Sequence, residues 1–373
     1  MKKIVVAHGH SSLEILHSLT PLILSIYQKK DWKWKFIDYK FFNLHKENGD
    51  LLILVRKFHN KQINNQQMIE ELIKLKKNFS KIIYFDDSAS SSMIHFCTFP
   101  YVDSYWKRSI LKNENLYFKK YYGGRVFSDY YHNNFGINDD KIIFNPLANE
   151  ETNFKKLKIA WNIGIGIYPL KELGIFNNFS PIVRRLISGI SILPSIKFLY
   201  KFTDYSWSKM KKNLLNPIDI KKKILKISAR FSGSDYTNSI GFQRLLALNK
   251  IKKNNFFLEG KIAKKKFVNE TYKVFGTFSA FGWGEICYRD FEACLGGSLL
   301  IKPDMSHLSS WPNIYKDQMY CSLNWDLENI EKIQDFLDHP IKVEEAVNQS
   351  RKEYHNCLNT VVSRCVKLIE EII

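Results

Sequence analysis

Residues 279–312 read SAFGWGEICYRDFEACLGGSLLIKPDMSHLSSWP, and this stretch decides how the rest of the chain is organised. Gly282 and Gly284 flank Trp283, which makes a permissive loop leading into a helix predicted to begin near Glu285. Glu285, Arg289 and Glu292 are spaced four and then three apart, so a helix starting there would carry all three on one face. Gly296 and Gly297 stand where a helix C-cap is expected, and SLLI is the short apolar run of a buried parallel strand.

Working outward, the second half of the chain repeats a strand–helix alternation. KKKILKISARFSG, from Lys221, predicts a strand over 224–229 with Arg230 at its carboxyl end. SIGFQRLLALNKI follows as a helix with Leu245, Leu246 and Leu248 as its apolar face. NNFFLEG is the next strand, and KKKFVNETYKVFGTFSAF carries a helix up to the opening stretch.

The first half alternates in the same way. Ile4–Ala7 forms a strand, and the polar loop His8-Gly9-His10-Ser11-Ser12 leads to an apolar helix containing Pro21. Strands are expected in WKWKFIDYK, around 50–58 and around 81–88, the last ending in Asp86 and Asp87; the helix NNQQMIEELIKLKKN lies between the latter two. This alternation predicts two doubly wound α/β domains in tandem. Ligands of such sheets bind beyond the carboxyl ends of the strands, which makes His8, His10, Asp86 and Asp87 candidate site residues.

The boundaries follow: a first domain over 1–155, an irregular or helical segment over 156–221, a second domain over 222–345 and a C-terminal helix over 346–373. Between Ser88 and Asn149 basic residues interleave with tyrosines, a pattern that suits nucleic-acid bases and phosphates or, equally, sugars. In the segment over 156–221 VRRLISGISILPSIKFLYKF carries Arg184, Arg185, Lys197 and Lys201 beside an apolar run, which suits an anionic membrane surface or a packed interdomain helix.

The bulk composition is that of a globular chain: 373 residues, 45% apolar and 25% charged. A formal charge of +19 points to an anionic partner or to the lysine-rich composition itself, and the charge is spread along the chain instead of gathered in one arm. The six cysteines form no CxxC pair and no Cys/His group, which fits reduced thiols in a cytoplasmic protein. The N-terminal apolar run is too short for a signal peptide, and no stretch reaches the ~18 apolar residues of a membrane span.

FGWGEICYRDFEACLGGSLLIKP resembles the nucleotide-sugar motif of GT-B glycosyltransferases, in particular exostosin-like and related family-one bacterial members. The resemblance covers roughly 222–320; over the N-terminal half it is architectural only. It implies two Rossmann-like domains facing a central cleft, with an acceptor-binding first domain and a donor-binding second. Glu292 falls on the acidic residue that binds the ribose hydroxyls, and Arg289 on a basic residue near the diphosphate. Many retaining members carry two glutamates eight apart; Gly284 occupies that position here and Glu285 is one residue off.

The activity so implied is transfer of a sugar from a nucleotide-sugar donor to a glycan or lipid-linked hydroxyl, in surface-polysaccharide synthesis and without a metal. The protein would lie in the cytoplasm or peripherally on the inner membrane face. The donor site would draw on Glu292, Arg289, Glu285, Gly282, Gly284, Arg230 and Asp304, and the acceptor's base on His8, His10, Asp86 or Asp87. The alternative from another class is a basic nucleic-acid-binding α/β protein.

Overall fold

The structure is a computed structural model that describes residues 1–9, 13–39, 41–55, 64–166, 168, 170, 196–252 and 254–373. The first domain is built on a sheet of β1 (Lys2–His8), β2 (Trp32–Asp38), β3 (Gly49–Val55), β4 (Phe79–Asp86), β5 (Ser104–Lys107) and β7 (Leu157–Ile159), with β6 (Ser109–Leu111) outside it. Its spatial order is β2-β1-β3-β4-β5-β7, every pair parallel. The central strands are apolar runs buried on both faces, as in Ile4–Ala7 and Leu51–Val55. The edge strand β2 instead alternates, with Trp32 and Trp34 inward and Lys33 and Lys35 in solvent.

The second domain has β8 (Ile224–Ala229), β9 (Phe257–Glu259), β10 (Val274–Phe278), β11 (Leu299–Pro303) and β13 (Cys321–Leu323) in the order β13-β11-β10-β8-β9, again all parallel. Counted within each sheet, both place their first five strands as two-one-three-four-five, and the first domain adds a sixth at the far edge. Each therefore has a switch point beside its first strand, where a doubly wound sheet binds its ligand. The α/β architecture of two Rossmann-like domains expected from the sequence is what the chain adopts.

Helices α1 (Leu13–Leu24), α2 (Asn65–Lys76), α3 (Val126–Phe135), α4 (Ile196–Leu215), α5 (Asn238–Ile251), α6 (Lys264–Thr271), α7 (Tyr288–Gly296), α8 (Lys332–Asp338) and α9 (Pro340–Glu370) cover and join the sheets. Asn64 and Gln67 close a reciprocal capping box at the start of α2, and Met68, Leu72 and Leu75 bury its inner stripe. The last helix runs along both domains: Arg351 bonds the carbonyls of Cys294 and Leu295 in the second, and Arg364 bonds that of Ala160 in the first. The antiparallel pair β6 with β12 (Leu308–Ser310) adds a second bridge.

Several sequence expectations shift. The sheet of the first domain takes β7 from beyond residue 155, and the C-terminal helix starts at Pro340, not 346, because proline is accepted in a first turn. The helix of the opening stretch begins at Tyr288, since the Asp290 carboxylate accepts the Cys287 N–H at 2.9 Å and fixes the cap there. Glu285 therefore precedes the helix and does not share its face. In α5 Leu245 is half exposed, and the buried stripe is Ile240, Arg244, Ala247 and Ile251.

The aromatic stretch after Ser88 is no stacking surface. Tyr105, Trp106, Tyr117, Tyr121, Tyr122 and Tyr131 are buried in the core, so the nucleic-acid reading loses its platform. Most of the basic apolar segment around 184–201 lies outside the described residues; within them, no helix is long and apolar enough to cross a membrane.

Candidate active site

The carboxyl ends of both sheets converge on one cavity of about 510 Å³. Ala89 follows β4, Arg108 follows β5 and Asn162 follows β7 on the first-domain wall; Arg230 follows β8, Lys261 follows β9 and Gly282 follows β10 on the second. The start of α7 supplies Tyr288 and Arg289 and, one turn on, Glu292, and α5 supplies Arg244 from the side.

Among the described residues six cationic side chains line this space: Arg108, Arg230, Arg244, Lys261, Lys264 and Arg289. Four have carboxylate partners. Arg108 is 3.4 Å from Asp87, Arg230 is 2.7 Å from Glu270, Lys261 is 3.5 Å from Asp235, and Lys264 is bound to Glu292. Arg244 and Arg289 have none among the described residues.

Arg244 is buried, which pushes its guanidinium below the usual arginine range, with the neighbouring Arg289 charge acting in the same direction. The fold holds it by two carbonyls, of Phe281 at 2.6 Å and Ser232 at 3.0 Å, and by the Tyr236 ring face 4.1 Å away. Arg289 lies over Phe231 at 5.8 Å, and its buried Nε has no partner. Asp235 acts on Arg244 from beyond ion-pair distance; two adjacent buried or half-buried cations with no carboxylate in direct contact among the described residues favour an anion that joins them. The N-terminal turn of α7 lies against the same space, and a helix N-terminus adds partial positive charge.

The glycine loop fits this space closely. A Cβ on Gly282 would stand 3.3 Å from Arg244 Nη2, and one on Gly284 would stand 2.0 Å from the carbonyl oxygen of Ala89 in the other domain. Gly284 thus serves the contact between domains as well as the loop. Trp283, half exposed, stands 5.4 Å from the Tyr236 ring at the cavity rim.

The expected site residues divide by location. Glu292, Arg289, Gly282, Gly284 and Arg230 all line the cavity. Glu285 does not: it is fully buried and accepts hydrogen bonds from Ser91 Oγ at 2.8 Å and Ser91 N at 3.3 Å, joining the glycine loop to the first domain. Asp304 also lies away from the cavity, its carboxylate taken by Ser306 N at 3.1 Å and Ser322 Oγ at 3.3 Å.

Asp86 is buried in a network with Lys107 at 2.8 Å and Tyr105 OH at 2.7 Å, and Asp87 accepts from Ser18 Oγ at 3.0 Å behind Arg108. His8 is buried, with Nδ1 3.0 Å from the Gly9 carbonyl oxygen. None of these three lines the cavity; His10 lies outside the described residues. Sequence reading missed Arg244. Its signal was there: a charge at the centre of the 240-244-247-251 stripe, on a buried face whose other polar residues are the uncharged Ser239 and Gln243.

The sequence matches no family model and no curated protein. Among solved structures the chain is similar to Anabaena Alr3699/HepE in complex with UDP-glucose (8% identity, TM-score 0.45, 100% of both chains covered). It is also similar to Staphylococcus aureus MnaA with UDP (9%, 0.43, 99% and 97%) and to a glycosyltransferase from Rickettsia africae (10%, 0.45, 99% and 98%). At these identities and scores the likeness bears on no residue's role.

Proposed function

We propose that the cleft binds a nucleotide sugar and that the protein is a glycosyltransferase of GT-B architecture. One observation carries this reading: among the described residues Arg244 and Arg289, at the start of α7, have no carboxylate within ion-pair distance, Asp235 acting on Arg244 only from farther off, while Glu292 lies one helical turn along the same face. A nucleotide sugar brings the complement of both. Its diphosphate diester carries two negative charges, and its ribose offers two hydroxyl donors to a carboxylate.

The chemistry follows from that placement. The bond between the sugar's anomeric carbon and the diphosphate oxygen breaks, its electron pair leaving with the diphosphate. The acceptor hydroxyl oxygen forms the new bond to the anomeric carbon and gives up its proton. Negative charge growing on the leaving group meets Arg244, Arg289 and the α7 N-terminus, fixed in place before reaction, and such preorganised charge is the largest catalytic term in many enzymes. In this reading no metal is required for the leaving group.

The first-domain wall carries Ala89, Arg108, Ser109, Asn162 and Ile163 among the described residues, so the acceptor hydroxyl enters beside Arg108. Asp87 holds Arg108, and Asp86 holds Lys107, as anchors for cations. His10, just beyond the end of β1, is the remaining candidate for the base. A glycan or lipid-linked acceptor on an anionic membrane face suits a protein of charge +19.

The test is binding and turnover together. Calorimetry with UDP, GDP, ADP and CMP should find one tight ligand, and Glu292→Ala should weaken it. If none binds, and no nucleotide sugar is hydrolysed or transferred, the donor-site reading fails.

A further inference from the structure

We infer that Lys264 is a displaceable occupant of the ribose position, and that its displacement makes the site select phosphorylated nucleotides over nucleosides. The inference rests on the donor-site reading above.

Glu292 and Lys264 form an ion pair whose two halves are held very differently. The Glu292 side chain is 8% exposed and that of Lys264 61%, so the fold positions the carboxylate and leaves the ammonium to move. Lys264 is also badly placed for its own helix. It opens α6, whose cap residue Ala263 makes no side-chain bond and whose first turn continues with Lys265 and Lys266. Three cations at the positive end of a helix repel it, and Glu292 is the one ion-pair partner Lys264 has among the described residues.

A ribose diol uses both oxygens of the Glu292 carboxylate, and Lys264 now occupies one of them, Oε1. Once displaced, the ammonium stays in a cavity that already holds Arg244 and Arg289, neither of them in contact with a carboxylate among the described residues. A nucleoside brings nothing to receive it and meets Lys264 as a competitor. A nucleoside diphosphate brings negative charge to the same space, so the released ammonium gains a new partner as it loses the old one. The same lysine therefore opposes the uncharged ligand and favours the charged one.

The experiment measures, by calorimetry on the full chain, the nucleoside and the nucleoside diphosphate of whichever base binds wild type most tightly among uridine, guanosine, adenosine and cytidine. In Lys264→Met the nucleoside should bind about two- to fivefold more tightly, the range a partly exposed ion pair commands. The diphosphate should bind at least roughly fivefold more weakly, as expected for one lost charge-assisted contact. Lys265→Met, on the exposed side of the same helix, should change neither. A diphosphate-to-nucleoside affinity ratio that stays within about twofold of wild type in Lys264→Met overturns the inference alone. Failure of every diphosphate to bind wild type overturns it together with the donor-site reading.

Discussion

Asp139 of the first domain caps a helix of the second: its carboxylate accepts from Ser239 N at 2.7 Å and from Ser239 Oγ at 2.7 Å. The helix is α5, whose own cap residue Thr237 makes no side-chain bond and whose buried stripe carries Arg244. The first domain thus helps to fix a cation of the cavity through the backbone of the element that bears it. Asp139→Ala should cost about 1–2 kcal/mol of stability in urea unfolding, the range of a lost N-cap. It should also weaken nucleotide binding, and an unchanged affinity would mean that α5 holds Arg244 without this cap.

The arginines Arg244 and Arg289 should separate binding from folding. Arg289→Gln removes a charge that makes no hydrogen bond or ion pair among the described residues and only a long contact with the Phe231 ring, so its unfolding midpoint should hold or rise while diphosphate affinity falls about ten- to a hundredfold. Arg244→Gln should lose similar affinity and also some stability, because Phe281 and Ser232 lose their donor. Calorimetry with denaturant titration reads both quantities.

Gly284 and Gly282 should respond unequally to alanine. The added methyl at Gly284 would overlap the Ala89 carbonyl at 2.0 Å, which the backbone cannot yield without parting the domains. At Gly282 the nearest atom is an arginine side-chain nitrogen at 3.3 Å, which can give way. Gly284→Ala should therefore destabilise by more than about 2 kcal/mol and Gly282→Ala by less than about 1. Equal losses would contradict the close interdomain approach.

His307 should make stability fall on acidification. Both its ring nitrogens are buried without a partner, and burial holds the imidazole below its ordinary 6.5; Lys112 acts in the same direction, while Glu285 and Asp304 oppose it. The unfolded chain then takes the proton first as pH drops, so stability is full above about 6.5 and declines below it until the folded form also protonates. The melting temperature should fall between pH 7.5 and 5.5, and His307→Asn should flatten that fall. An identical slope in the variant would assign the effect elsewhere.

Sugar transfer, once a donor is identified, should continue in EDTA within about twofold of its rate, because the proposal gives arginines and backbone the role a divalent ion could play. Loss of turnover in EDTA, restored by magnesium, would refute metal independence.

Much of this was readable in the chain. Apolar runs such as Leu51–Val55 and Leu299–Ile301 are of the kind buried in a parallel sheet, and glycine at 297 marks the helix end, where φ is +67°. Strand ends therefore named Arg230, and the Gly-loop and helix named Arg289 and Glu292, because these depend on neighbours in sequence. Spacing could not say which polar groups the two domains would press together. Glu285, Asp86 and Asp87 carry the same chemistry as a catalytic carboxylate, yet Ser91, Lys107 and Arg108 reach them from distant or separate elements and turn them into internal ties. Arg244 went the other way: only when α5 docks beside the loop at Phe281 does a mid-helix arginine become part of the cavity wall. Sequence determined the elements and their ends, since those follow from local backbone and burial patterns. The pairing of charges across the cleft was decided by tertiary structure, since it follows from distances that no local pattern contains.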